Sequence, residues 1–141
     1  RELAVVGQAL NWSSDQLRTP PARQNEGPGN ALLLTAVHDH VSEVVTAFGE
    51  KGTTSETVAR TALAEFEAYS AATGALGAHL ADQWMLPLAL AVVAHRGASA
   101  AYTCTQMTDH SKTNIGVIEA FLPVRFDVRE EAPACWRVAV A

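Results

Sequence analysis

The sequence predicts an α+β fold, and three observations carry that prediction. Thr53 and Glu56 form a T-x-x-E capping box ahead of an apolar face at helical spacing. Val124, Phe126 and Val128 alternate with charged residues, the pattern of a half-buried strand. From Asp82 onward the elements read helix, strand, helix, strand, strand, an order that suits helices laid on one face of a sheet.

Taken in order, Leu3, Val6 and Leu10 recur at helical spacing with Val5 and Ala9 beside them, so the first ten residues predict a helix with a buried stripe. Residues 13 to 30, "SSDQLRTPPARQNEGPGN", are dense in turn formers and read as a connector, with a turn around Gly27-Pro28-Gly29-Asn30. "ALLLTAV" and "VSEVVTAF" flank His38-Asp39-His40 as the two arms of a hairpin, and residues 49 to 52 then turn the chain. The capped helix follows, with Ala59, Ala62, Leu63, Phe66 and Tyr69 on one face and Gly74 to close it. A second helix starts near Asp82 in "HLADQWMLPLALAVVA"; it is apolar on every side, so burial against a sheet is expected, with Pro87 costing a backbone bond or a bend. "SAAYTCTQ" reads as a strand, and Ile115, Ile118 and Leu122 mark a helix over 113–122 that Pro123 stops. "VRFDVRE" and "CWRVAVA" pair across "EAPA".

Composition bounds the function. At 141 residues, 48% hydrophobic and 18% charged, the chain is globular, either one domain or two small ones. Its first residues read as the middle of a folded element, so a piece of a longer protein is expected. The longest apolar run, Trp84 to Ala94, is eleven residues, short of the ~20 a bilayer span needs. A soluble protein, not a membrane one, is expected. A formal charge of -5 excludes a broad basic surface gripping a nucleic-acid backbone, so polynucleotide contact must be local or supplied elsewhere. Two cysteines, Cys104 and Cys135, are too few for a disulfide framework, and a reducing, cytoplasmic setting is expected.

Candidate chemistry gathers in two places. His110, in "QMTDHSKTN", stands just before the expected N-terminus of the 113–122 helix, where unpaired N–H groups and the positive dipole end attract phosphate. Lys112 adds a charge, and the helix end disfavours an imidazolium, leaving a neutral nucleophile. Attack on phosphorus would give a phosphohistidine or nucleotidyl-histidine. The plainer reading is a solvated loop residue, with Ser111 or Thr108 capping the helix. Asp82 and Gln83 put a carboxylate and an amide at the start of an apolar helix, placed to read a ligand; the plainer reading is that Asp82 caps it. His38 and His40 suggest a metal pair, but no third or fourth ligand is marked, so no metal ligand is assigned.

Together "NEGPGN" (25–30), "FGEKG" (48–52), "HLADQ" (79–83), "LPLALA" (86–91), "DH..TNI" (109–115) and "FLPVRF" (121–126) resemble the RNA 3′-terminal phosphate cyclase family, in order and in spacing. The resemblance implies an enzyme that uses ATP to turn an RNA 3′-phosphate into a 2′,3′-cyclic phosphodiester. A histidine attacks the α-phosphorus of ATP, the AMP passes to the RNA end, and the 2′-hydroxyl displaces it. By motif position His110 resembles that nucleophile, and His79, Leu80, Ala81, Asp82 and Gln83 resemble the nucleotide-contacting segment, with Asp82 and Gln83 foremost. ATP and Mg²⁺ are the implied cofactors, the main metal ligands lying outside this chain; RNA 3′-phosphate ends are the implied partner.

The fold the resemblance implies is a large domain of three βαβαββ-like repeats with a small αβ domain inserted in the last. Residues 1–75 then belong to the inserted domain and 76–141 to the C-terminal repeat. The N-terminal repeats, with their glycine-rich signature and acidic metal residue, are missing, so the chain is expected to need them as a partner and to be inactive alone. Two departures stand out: "VVAHRGASA" follows where the family runs into glycines, and His79 stands where an aromatic such as Tyr is common. A second function remains open, a non-catalytic cyclase-like scaffold in ribosome assembly; the presence of His110 favours the enzyme.

Overall fold

The structure, a computed structural model, describes residues 1–21 and 29–141. Half of the expected turn at 27–30, and most of "NEGPGN", lie outside the described residues. In chain order the elements are α1 (Glu2–Leu10), a short 3₁₀ turn (Ser14–Gln16), β1 (Asn30–Val37), β2 (Ser42–Gly49), α2 (Ser55–Ala71), α3 (Ala78–Ala94), β3 (Ala100–Cys104), α4 (Asp109–Phe121), β4 (Phe126–Ala132) and β5 (Cys135–Val140). Helices accompany two separate sheets, β1-β2 and β3-β5-β4, an α+β fold as expected. The chain divides into two compact units, Arg1–His38 with Val44–Ala68, and Asp39–Glu43 with Tyr69–Ala141.

In the first unit the strands alternate as their sequences do. Leu32, Leu34, Val45 and Ala47 are buried together with Val6 of α1 and with Val58, Ala59, Ala62 and Leu63 of α2. The Trp12 ring meets Phe66 edge-on, 5.7 Å between centroids. Thr54, not Thr53, caps α2, its Oγ1 accepting the Thr57 N–H at 3.2 Å. The hydroxyl one residue later has the reach to N3.

The second unit places the chemistry. Its antiparallel sheet runs β3-β5-β4, with Tyr102, Val138 and Val128 aligned on one face. Leu76 adds a parallel bridge to Cys104; its N–H donates to the Thr103 carbonyl at 3.0 Å and its carbonyl accepts from Thr105 N–H at 2.9 Å. Because α3 links Leu76 to β3, these three pieces make a short β-α-β crossover. Gly74, expected to close α2, instead lets the backbones touch: a Cβ there would lie 2.3 Å from the Cys104 carbonyl carbon. α2 has already ended at Ala71.

α3 is not buried all round. Ala81, Met85, Ala89 and Val92 form one buried stripe at helical spacing, whereas Trp84, Leu86 and Leu90 on the other sides are close to half exposed. A single sheet covers only one face of a helix, so the remaining apolar positions have no layer above them among the described residues. Burial of Met85 alone contributes roughly 1.5–3 kcal/mol. Pro87 sits inside α3, and the helix continues through it to Ala94. No helix among the described residues is long and apolar enough to cross a membrane.

Both cysteines are free thiols. Burial pushes the Cys104 thiol up to about 11 from an ordinary value of 9.0, against the lowering contact with the Gln106 backbone and with Cys135 adding to the rise. The folded state therefore favours the neutral thiol. Its contribution to stability is whole below about pH 9 and is lost as pH rises through about 11. Denaturation midpoints should fall across that window in the native sequence and fall less in Cys104→Ala. A second expectation concerns Gly74→Ala: overpacking against backbone costs about 1–3 kcal/mol, so the urea midpoint should drop accordingly, and an unchanged midpoint would contradict the close approach.

Candidate active site

The site begins with the start of α4. Thr108 sits in extended conformation as N-cap; its Oγ1 accepts the Ser111 N–H at 3.0 Å and its carbonyl accepts the Lys112 N–H at 3.0 Å. The Thr113 hydroxyl donates to the Asp109 carbonyl at 2.8 Å. These bonds start the helix at Asp109 rather than at 113, because the threonine cap outweighs the weak apolar pattern of the first turn. His110 accordingly stands within the first turn, not ahead of it. Amides from Lys112 onward are inside the helical ladder, which leaves those of Asp109 and His110 as the ones that a first turn presents outward. The Lys112 ammonium lies 3.0 Å from Asp109 Oδ1, so the charge expected to serve a phosphate is paired on its own helix.

Opposite stands Asp82, which divides its two carboxylate oxygens between two residues of α4. Oδ2 lies 3.0 Å from His110 Nδ1, and Oδ1 accepts from the Asn114 side-chain amide at 3.0 Å; the same amide also donates to the Asp82 carbonyl at 3.3 Å. Asn114 is one turn on from His110, so both point to the same side of α4. The Asp82 side chain is 19% exposed and that of His110 82%. The carboxylate is thus held in place at the protein surface, and the ring it touches is open to solvent.

The plainer reading of Asp82 as a helix cap does not hold. α3 begins at Ala78 behind Gly77, and Asp82 lies in the second turn. Of the other residues in "HLADQ", His79 and Gln83 are exposed, one turn apart on α3 and flanking Asp82. Leu80 packs against the core of the second unit, and Ala81 is fully buried, its carbonyl accepting from the Tyr102 hydroxyl at 2.8 Å. The structure therefore brings His110 and Asp82 together and leaves Leu80 and Ala81 as packing beneath them. Pro87, four residues beyond Gln83, has no N–H to give, so the Gln83 carbonyl lacks its helical donor. Burial above all, then the charges of Cys104 and Asp82, pushes the Tyr102 phenol well up, keeping it a neutral donor.

The chemistry follows from the contact. A carboxylate can only accept, so the proton between Asp82 and His110 belongs to Nδ1. With Nδ1 carrying the proton, the lone pair of the neutral form of the ring lies on Nε2, the orientation a nucleophile needs. Asn114 was missed in the sequence, although its spacing of four from His110 was a signal. Among the described residues no group of three or more His, Cys, Asp or Glu comes together, and His38, Asp39 and His40 are exposed at the β1–β2 connection. The donors here do not fit a resident divalent cation.

Residues 15–128 match the family described as RNA 3′-terminal phosphate cyclase. The chain belongs to that family. Among curated relatives bearing the name RNA 3′-terminal phosphate cyclase, the Ralstonia nicotianae protein is 46% identical over 77% of this chain and 30% of its own length. The Koribacter versatilis protein is 36% identical over 100% of the chain and 38% of its own. The Salmonella enteritidis protein is 48% identical over 71% of the chain and 28% of its own. The chain thus spans about three to four tenths of the length of these cyclases.

The proton placement is measurable. In the intact protein labelled with ¹⁵N-histidine, His110 should be mainly the Nδ1–H tautomer at a pH where imidazole is neutral, and Asp82→Asn should return it toward the usual Nε2–H form. A ring that is unaffected by this substitution would rule out the contact.

Proposed function

We propose that this chain carries the nucleophile of an ATP-dependent RNA 3′-phosphate cyclase. The observation that supports the reading best is the exposed His110 ring with Nδ1 against Asp82. Nε2 of His110 attacks the α-phosphorus of ATP; the Nε2–P bond forms, the bond to the bridging oxygen breaks, and pyrophosphate leaves. Asp82 holds the Nδ1 proton and stabilises the positive charge that the ring gains, while Asn114 keeps the carboxylate in place. AMP then passes to the terminal phosphate of an RNA, and the vicinal 2′-hydroxyl displaces it, closing the 2′,3′-cyclic phosphodiester and releasing AMP.

His79 and Gln83 flank Asp82 on the exposed side of α3 and are the proposed nucleotide contacts; Leu80 and Ala81 serve from beneath, by packing. A divalent cation such as Mg²⁺ belongs to the proposal as the usual companion of ATP, its main ligands supplied outside these residues. Residues 1–75 are proposed to be part of an inserted αβ domain and 76–141 the last repeat of the large domain, with the N-terminal repeats completing the enzyme. A cytoplasmic setting is part of the same reading, supported by the two free thiols.

The test uses ATP labelled at the α-phosphate and the intact protein. An acid-labile, base-stable adduct is expected; His110→Ala should abolish it, and Asp82→Asn should slow its formation by about 10²-fold, in line with loss of a group that orients and stabilises a catalytic imidazole. Labelling retained in His110→Ala would reject the assignment and favour a non-catalytic, cyclase-like scaffold.

A further inference from the structure

α3 starts without a capping side chain of its own. Its N-cap is Gly77, in extended conformation, and no side-chain cap bond is made from that residue. Against that N-cap residue stands a carboxylate from another element of the same unit. Glu43, 5% exposed, accepts the Gly77 N–H on Oε2 at 2.7 Å. The fit is close, since a Cβ at Gly77 would lie 2.6 Å from Glu43 Oε1 and 2.7 Å from its Cδ.

A buried carboxylate is costly unless its hydrogen bonds and surrounding charge offset the lost hydration. Here the backbone N–H and the positive end of α3 contribute to that offset. Neighbouring groups tie the same corner. The Tyr69 hydroxyl donates to the Ala75 carbonyl at 3.1 Å, and the Ala75 N–H donates to Thr103 Oγ1 at 3.1 Å. Thus the chain entering α3 is held on both sides of Leu76. Five residues after Gly77 comes Asp82, the partner of His110.

We propose that Glu43 is a positioning residue for the His110–Asp82 pair: its carboxylate holds the N–H of the N-cap residue Gly77 and so fixes where α3 begins and how Asp82 is presented to the histidine. The inference rests on the reading of His110 and Asp82 given above. It also gives Gly77 a reason beyond helix entry, because any side chain there would displace the carboxylate.

The test is the tautomer of His110 in the intact protein labelled with ¹⁵N-histidine, its signal assigned among the five histidines by His110→Ala. Glu43→Ala removes the carboxylate, Gly77→Ala keeps it but pushes it away, and Glu43→Gln keeps an oxygen for the Gly77 N–H. Glu43→Ala and Gly77→Ala are expected to lower the Nδ1–H fraction of His110 at least two-fold and the rate of adenylyl transfer to His110 about ten-fold, while the other histidine signals stay in place. Glu43→Gln should stay within two-fold of the native protein. Gly77→Ala carries the test even where Glu43→Ala is too unstable to purify. A purely structural role would lower the melting temperature and leave the His110 tautomer and the rate unmoved, and that result overturns the proposal. Asp82→Asn separates the two levels: if it shifts His110 and the Gly77 and Glu43 variants do not, this inference alone fails, whereas a His110 indifferent to Asp82→Asn removes the reading beneath it.

Discussion

One carboxylate ties together the two helices of the candidate site. Asp82 gives one oxygen to a histidine and the other to an asparagine one turn further along the same helix. Because both partners lie on α4 and the carboxylate lies on α3, the contact fixes the distance between the helices and the rotation of each. A singly held carboxylate can swing about its last torsion angle. With Asn114 on Oδ1 it cannot do so without breaking that bond too, and the same amide is itself steadied by its bond to the Asp82 main-chain carbonyl. The histidine is thereby oriented while its other nitrogen remains in solvent, a combination that a fully buried or fully loose ring would not offer.

The sheet beneath serves that contact. α3 is anchored along Ala81, Met85, Ala89 and Val92 to a core shared with Cys104, Ile118, Val138 and Val140, so the helix that carries Asp82 cannot roll. Ile118, two turns beyond His110, does the same for α4. Tyr102 joins the layers directly, bonding from β3 to the carbonyl of the residue before Asp82. At the entry to α3, the contact between Gly74 and Cys104 and the bond from Gly77 to Glu43 settle where the helix begins. Together these features hold the two helices on which Asp82 and His110 stand.

The outer face of α3 carries a different message. Trp84, Leu86 and Leu90 cover the side away from the sheet and stay nearly half exposed. A helix apolar on every side is suited to burial between two layers, yet only one layer is present among the described residues. The matched cyclases are about two and a half times as long as this chain.

The sequence by itself determined the elements and their order. Hydrophobic period, turn residues and hydroxyl caps act over a few residues, so α1, the β1–β2 hairpin, α2 and the β4–β5 hairpin were legible, as were the motifs that pointed to His110 and Asp82. It misplaced what depends on competition between near-equal local choices: Thr54 over Thr53, Asp109 over Thr113 as the start of α4, Gly77 over Asp82 as the cap of α3. Only the tertiary structure decided that Asp82 meets His110, that Asn114 braces it, that Leu80 and Ala81 lie beneath the site, and that Glu43 reaches the start of α3. Those contacts join residues about thirty positions apart, and a separation of that size leaves no periodic trace in a single chain; it is set by the packing of helix on sheet.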